Sequence, residues 1–479
     1  LFAKAWSFGG SAVCATWQEA AEMRDADLII VGAGPAGMAA AATAANAGAR
    51  VLLLDEPPRA GGQIFRNVGL NGDARPYLGK DYAAGKPLVQ ALDHPNITAE
   101  FGANVWRIEA GPRVVWSRDG ESHVSRARHV LLAGGAQERP VPFPGWTLPG
   151  VMPAGAAQIL MKSAGLLPRD AVLAGSGPLL YLIAAQMIDA GAPPKALVET
   201  QTSAMLLRAS KHLPRALLAA PTLFKGLGLM RRIRAAGVER YTGASGFGAI
   251  MTEDGGIAFS FTARGRAHTL TTSLLLTHQG VVPATHMSRA AGIGHVWNEA
   301  QQAFQPIVDA WGRTDLPGIH VAGDGAGIGG AEAAQAAGRL AALDILHLSG
   351  RLSEDQRDQK SAADRAALRR VLAIRPFLDA AYAPLPEFLS PSGDTIVCRC
   401  EEITAADIRR SLAEGANGPR QVKTATRAGM GPCQGRMCDL TVRGILAACG
   451  TNPAVPRARS PIKPVKLGEL AALAPHQET

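Results

Sequence analysis

Between Cys14 and Cys398 the chain has no cysteine. A dithiol relay within its body is therefore excluded. Aromatic residues make up only 5% of the 479 residues, and no Lys/Arg run or aromatic–basic interleaving occurs. A nucleic-acid partner is not expected, and the net charge of +9 reads mainly as a solvated basic surface. Twelve Lys/Arg against eight Asp/Glu follow Pro391, so the C-terminal end can offset an anionic group or steer an acidic partner. Leu28 to Ala49 carries no charge and has about the length of a bilayer span. Gly32, Gly34, Pro35 and Gly37 break it into strand, turn and helix, so no transmembrane segment is expected. The opening LFAKAWSFGG lacks a long apolar core and does not read as a signal peptide. Residues 1–24 read as an N-terminal extension. Thiols set out as metal ligands, without an export signal, make the cytoplasm the expected compartment. Peripheral membrane association stays open.

Glycine (54 residues) is plentiful, as suits closely packed α/β layers, and the length calls for several domains. Asp27–Val31 reads as a buried parallel strand. Gly32-Ala-Gly34-Pro35-Ala36-Gly37 and an Ala-rich helix follow, and a second strand ends in Asp55-Glu56. Gly32 is assigned the tight turn, Gly34 the approach of a pyrophosphate, Gly37 the helix–strand contact and Asp55 a ribose hydroxyl. The helix N-terminus offers free N–H groups and a positive dipole end to phosphate.

The next segment, Pro57 to Gln63 with Gly62 and Gln63 at its end, resembles the continuation found in flavoproteins. Thr314 to Asp324, ending in Gly323-Asp324, resembles the second FAD motif of two-dinucleotide-domain flavoprotein reductases, in which the Asp binds the ribityl chain. FAD is the cofactor that this resemblance implies. A second unit, strand Asp170–Ala174 with Gly175-Ser-Gly177 and a later strand ending in Glu199, carries Leu180 where the third glycine would stand. It reads as a second Rossmann-type domain. Glu199 would favour NAD or another adenine nucleotide, against the alternative of a fold retained without hydride exchange.

Cys398-Arg-Cys400 and Cys433-Gln-Gly-Arg-Met-Cys438 put four of the six cysteines into 41 residues. Zinc pairs usually stand C-x₂₋₄-C, which Cys398-x-Cys400 does not satisfy. Four thiolates spread over two irons suit a 2Fe–2S centre, with Arg399, Arg427 and Arg436 to offset its charge. The residues around these cysteines resemble the bacterioferritin-associated-ferredoxin-type 2Fe–2S domain. With Glu138 to Gly150, Gly280 to Pro283, Gly323 to Gly330 and Pro461 to Glu469, the chain resembles the α subunits of multimeric amino-acid and opine dehydrogenases. That family includes the larger flavoprotein chains of opine oxidase, the flavoprotein subunit of hydrogen cyanide synthase, and the α subunits of dye-linked proline and hydroxyproline dehydrogenases.

The resemblance implies an electron-transfer subunit in which a flavin takes two electrons and the cluster passes them on singly. Amine oxidation would occur in a partner β subunit of amino-acid-oxidase type with its own FAD, and a downstream acceptor would follow. An FMN at the subunit interface stays open. The alternative is a self-sufficient NADH-dependent reductase feeding its own cluster. No His/carboxylate constellation marks a substrate-oxidation site: His278 and His320 read as core or surface residues, and Glu138 and Arg139 as flavin or substrate contacts or as a structural salt bridge.

The expected architecture is α/β, with two Rossmann-type domains, the FAD domain split around the second, and a small C-terminal 2Fe–2S domain. The expected boundaries are 25–150 and 273–350 for the FAD domain and 151–272 for the second Rossmann domain. A helical connector takes 351–391, the cluster domain 392–450 and a Pro-rich tail 451–479.

Overall fold

The computed structural model describes residues 26–109, 111–471 and 473. The expected N-terminal extension and Cys14 lie outside them. Two five-stranded parallel sheets organise the body. In the first, the strands run in the order Ile319–Val321, His129–Leu132, Leu28–Val31, Val51–Asp55 and Ile97–Phe101. Leu28–Val31 is buried throughout, as a central parallel strand covered on both faces must be. In the second the order is Glu239–Thr242, Ala196–Glu199, Ala171–Ser176, Leu274–Gln279 and Val151–Pro153. Each sheet has a three-stranded antiparallel companion, spanning 104–126 and 244–272. The two-sheet α/β architecture expected from the sequence is met.

One boundary needs correction. The return to the first domain was expected at 273, but Leu274–Gln279 pairs on both sides within the second sheet. The crossing follows Gln279, where Val281–Pro283 pairs antiparallel with Ala136–Glu138, the outgoing crossing. The two passages between domains are thus hydrogen-bonded to each other.

Small residues set the spacing in the first domain. A Cβ on Gly37 would lie 1.8 Å from the Gly32 carbonyl oxygen, and one on Gly338 would lie 2.1 Å from the Ala36 carbonyl oxygen. Helix Pro35–Asn46 therefore packs against both the first strand and helix Ala331–Leu348 at backbone distance. Helices Glu354–Leu372, Arg375–Ala381 and Pro386–Leu389 fill the connector. Helix Glu354–Leu372 starts with a capping box between Ser353 and Gln356, which satisfies two of its free N-terminal donors. The cysteine-bearing end forms its own core around Val397, Ile408, Val422, Ile445 and Leu446. The tail turns back onto the body: Ile462, 3% exposed, packs on Trp106 and Val115, and its N–H donates to the Trp106 carbonyl at 3.0 Å.

Candidate flavin and cluster site

Gly32 takes φ +111° in the turn after the first strand, a conformation that favours glycine, and its Cβ would lie 2.4 Å from the Ala133 carbonyl oxygen. Gly34 caps the helix that opens with Pro35 and Ala36. The nearest atom to a Cβ on Gly34 is the Gly62 Cα at 3.9 Å, whereas a Cβ on Gly62 would meet the Gly34 Cα at 2.8 Å. The two glycine turns thus face each other with no side chain between them.

Asp55 ends the second strand, and its Oδ2 is buried without a hydrogen-bond partner. Burial pushes its carboxyl up to about 6, against the lowering effect of the Ala33 N–H and of Arg66. A buried acceptor with no partner at the end of this strand fits the hydroxyls of a ribose. Gly323 lies against Ala36, where its Cβ would come within 2.8 Å of the Ala36 Cβ. Asp324 accepts from the N–H groups of Gly329 (2.9 Å) and Gly330 (2.8 Å), which fixes the loop leading into helix Ala331–Leu348. The structure therefore brings Gly32, Gly34, Pro35, Ala36, Gly37, Asp55, Gly62, Gly323 and Asp324 to one end of the first sheet. Gln63 follows there. Glu56 points elsewhere: it is exposed and paired with Lys463 of the tail.

Lys162 carries no motif that would mark it in the sequence. It is 4% exposed, and its Nζ donates to the Gln63 carbonyl (3.1 Å) and Gln158 Oε1 (2.8 Å). Burial lowers its ammonium to about 7, and the nearby Arg66 adds to the effect. The only sequence signal is a lysine on the apolar helix Ala154–Ser163.

The second nucleotide frame differs in its acid. Glu199 is 2% exposed, and both its oxygens are taken. Tyr181 donates its hydroxyl at 2.6 Å, and Arg240 donates through Nε at 2.9 Å and Nη2 at 3.0 Å. The expected ribose acceptor is engaged inside the protein. Leu180, at the third-glycine position, is 1% exposed and belongs to the core. Gly175 and Gly177 flank His278, which lies 2.5 Å from Glu138.

Glu138 also accepts from the Gly155 N–H, and Arg139 turns away from it to the carbonyls of Gln301 (2.7 Å) and Gln302 (3.1 Å). Burial lowers the Arg139 guanidinium to about 10. His320 belongs to a buried ion cluster: its Nε2 lies 3.2 Å from Asp344, which Arg313 clamps with two bonds. Burial alone would raise Asp344, but the bonds from Arg313 and His320 outweigh it and hold the carboxyl at about 2.

Cys398 and Cys438 are buried, Cys433 is half-buried and Cys400 is exposed. The thiols meet across the two motifs: Cys438 is hydrogen-bonded to Cys398, and Cys433 to Cys400. That contact, together with N–H groups of Gly429, Glu401 and Cys400, brings the Cys398 thiol down to about 5 despite burial. Among the described residues no three His, Cys, Asp or Glu side chains converge as a site for a single ion. Two thiol pairs surrounded by backbone N–H donors fit a two-iron core, with a pair available to each iron.

The loop is tied to the body at several points. Gln137 Nε2 donates to the Arg436 carbonyl (2.8 Å), Trp146 Nε1 to the Ile396 carbonyl (2.7 Å) and Arg289 Nη1 to Asp439 (3.0 Å). Arg443 stacks 3.4 Å over the ring of Trp297. A cavity of about 30 Å³, lined by Gln137, Thr285, His286, Arg289 and Arg436, lies at this junction.

These features define a flavoprotein reductase body joined to an iron–sulfur domain. Residues 26–341 match the pyridine nucleotide-disulphide oxidoreductase family, and residues 396–448 match the BFD-like 2Fe-2S binding domain. The chain is thus an FAD-dependent oxidoreductase with a 2Fe–2S domain. It belongs, more narrowly, to the family of opine oxidase A-type subunits. The A-type subunit of opine oxidase from Agrobacterium tumefaciens is 46% identical over 466 residues, covering 94% of this chain and 92% of the relative. Hydrogen cyanide synthase subunit HcnB of Pseudomonas protegens is 34% identical over 430 residues, covering 86% and 89%. The solved L-proline dehydrogenase from P. horikoshii shares the fold, with a TM-score of 0.69 at 19% identity over 93% of this chain and 79% of that one. Among the described residues no helix is long and apolar enough to cross a membrane.

Proposed function

We propose that this chain is the electron-transfer subunit of a multimeric amino-acid or opine dehydrogenase. In this reading Gly32, Gly34, Gly37, Asp55, Gly62, Gln63, Gly323 and Asp324 hold FAD, and Cys398, Cys400, Cys433 and Cys438 hold the cluster. The carrying observation is the Gln137–Arg436 bond, which joins the segment after the flavin-side strand His129–Leu132 directly to the cysteine loop. Bound FAD supplies two-electron chemistry and the cluster single-electron transfer. The chain's own residues orient the two groups and shield them.

Amine oxidation is assigned to a β subunit of amino-acid-oxidase type, with an FMN at the interface as a further candidate. His278, Glu138, His320 and Arg139 are all engaged in buried contacts, so none offers a free base for substrate. The second Rossmann unit is read as a retained scaffold, because Glu199 is occupied by Arg240 and Tyr181. Co-expression with a neighbouring amino-acid-oxidase-like gene and anaerobic addition of opines or proline tests the proposal. Substrate should reduce this chain's flavin and cluster only when the β subunit is present. Bleaching by NADH with no partner would establish the autonomous reductase instead.

A further inference from the structure

The least explained surface of the molecule lies in the second domain, between strands Ala196–Glu199 and Glu239–Thr242. Helices Ser203–Ser210, Leu213–Ala216 and Ala220–Ala235 occupy it. Their small and inward residues are buried: Met205, Ala209, Ala216, Ala219 and Ile233. Ala216 and Ala219 pack with Ile374 of the connector. The other side carries large apolar groups in water: Leu207 is 76% exposed, Phe224 70%, Leu218 65% and Leu217 59%. Seven of the nineteen exposed large hydrophobics of the described residues fall between Leu206 and Leu227. An apolar concentration of this kind marks a contact surface.

Its charge is one-sided. From Gln201 to Val238 there is no Asp or Glu, against seven Lys and Arg. Lys225 and Arg232 pair with Asp81 and Asp189, outside the segment. Arg208, Lys211, Arg215, Arg231 and Arg234 are exposed and make no ion pair among the described residues. Along helix Ala220–Ala235, Phe224, Leu227, Arg231 and Arg234 follow one another at helical spacing on the outward stripe, so apolar groups and guanidinium groups share one face.

We propose that this face docks the protein onto an anionic lipid bilayer, with the leucines and Phe224 entering the headgroup–acyl boundary and the arginines at the phosphates. Interfacial helices combine Leu and Phe with Lys and Arg in this way, and a fluid surface needs no shape complementarity. Protein interface cores instead draw on Tyr and Trp and exclude Lys. This segment has neither Tyr nor Trp, and Phe224 is its only aromatic side chain. The long arginine stems let their charged ends reach the phosphates beside buried apolar groups. The inference holds whether or not the electron-transfer reading does.

Flotation of the full-length holoprotein, with and without its co-expressed partner subunit, tests it on vesicles of phosphatidylcholine alone or with phosphatidylglycerol. Binding should require phosphatidylglycerol and weaken with salt. Phe224→Glu with Leu227→Glu should lower it by about tenfold or more. Arg231→Glu with Arg234→Glu should remove the preference for phosphatidylglycerol. Flavin and iron–sulfur absorbance, unchanged in both variants, would show intact folding. Failure of the wild type to float, or equal flotation of the variants, overturns the proposal. So does loss of the co-purifying subunit in the Phe224/Leu227 variant without loss of vesicle binding, since the face would then be a protein interface.

Discussion

Gln137 and Arg436, 299 residues apart in the chain, are joined by a hydrogen bond of 2.8 Å from the Gln137 side-chain amide to the Arg436 carbonyl. Gln137 lies in the strand that leaves the first domain, just after the Gly134-Gly135 loop that packs on Gly325. Arg436 lies between Cys433 and Cys438, and its Nε donates to the Cys433 carbonyl at 3.1 Å. The flavin frame and the cysteine loop are therefore in register through one side chain. Gln137→Leu keeps the size and removes the donor. Flavin and iron content should stay at wild-type levels, while electron transfer from flavin to cluster, followed by stopped flow, slows by more than about tenfold. Unchanged transfer would remove Gln137 from this positioning role.

The cross-pairing of thiols gives a second expectation. Cys400→Ser removes one member of the Cys400–Cys433 pair and should abolish the iron–sulfur spectrum with FAD still bound. Gly431→Ala leaves every thiol in place, yet its Cβ would lie 2.2 Å from the Cys400 Cβ. Displacement of Cys400 should lower cluster occupancy, as read by electron paramagnetic resonance of the reduced protein. A normal spectrum in Cys400→Ser would show that the cluster assignment is wrong.

Much of this is legible in the sequence because it is local. The strand–glycine–helix–acid frame specifies its own geometry within thirty or so residues. The two cysteine motifs announce a two-metal donor set. The joining of Cys398 to Cys438 is not legible, since it depends on how the chain returns after helix Pro419–Thr426. Glu199 is recognisable as a strand end, but its partner Arg240 arrives from a neighbouring strand 41 positions later. Leu274–Gln279 falls to the wrong sheet on sequence grounds for a similar reason: an apolar run says that a strand is buried, not which strands flank it.

Asp55 connects pH to cofactor binding. Its carboxyl rises from 3.8 to about 6 through burial, so the folded apoprotein holds this proton more tightly than the unfolded chain does. The sign follows: the contribution of Asp55 is fully present below about 4 and is lost as pH rises through about 6. The loss amounts to about 3 kcal/mol. In Asp55→Asn this dependence disappears. The difference in melting temperature between apo wild type and apo variant should shift in favour of the variant over that interval. FAD should bind the variant about tenfold more weakly, because an amide holds a ribose hydroxyl less strongly than a carboxylate does. Parallel pH profiles for the two apoproteins would count against the buried-carboxylate account.

Glu199 separates a scaffold from a working nucleotide site. A ribose can reach it only if Arg240 and Tyr181 release it, and breaking a buried ion pair is unfavourable. NADH added anaerobically to the purified chain should leave the flavin oxidised, and Glu199→Gln should not alter that result. The substitution should instead lower stability by about 3 kcal/mol, because Arg240 and Tyr181 lose their shared carboxylate. Chemical denaturation reads this loss directly, at unchanged slope if the unfolded state is unaffected. Rapid bleaching of the wild-type flavin by NADH, abolished in Glu199→Gln at preserved stability, would place a nucleotide on Glu199 and make the second sheet a hydride-delivery domain.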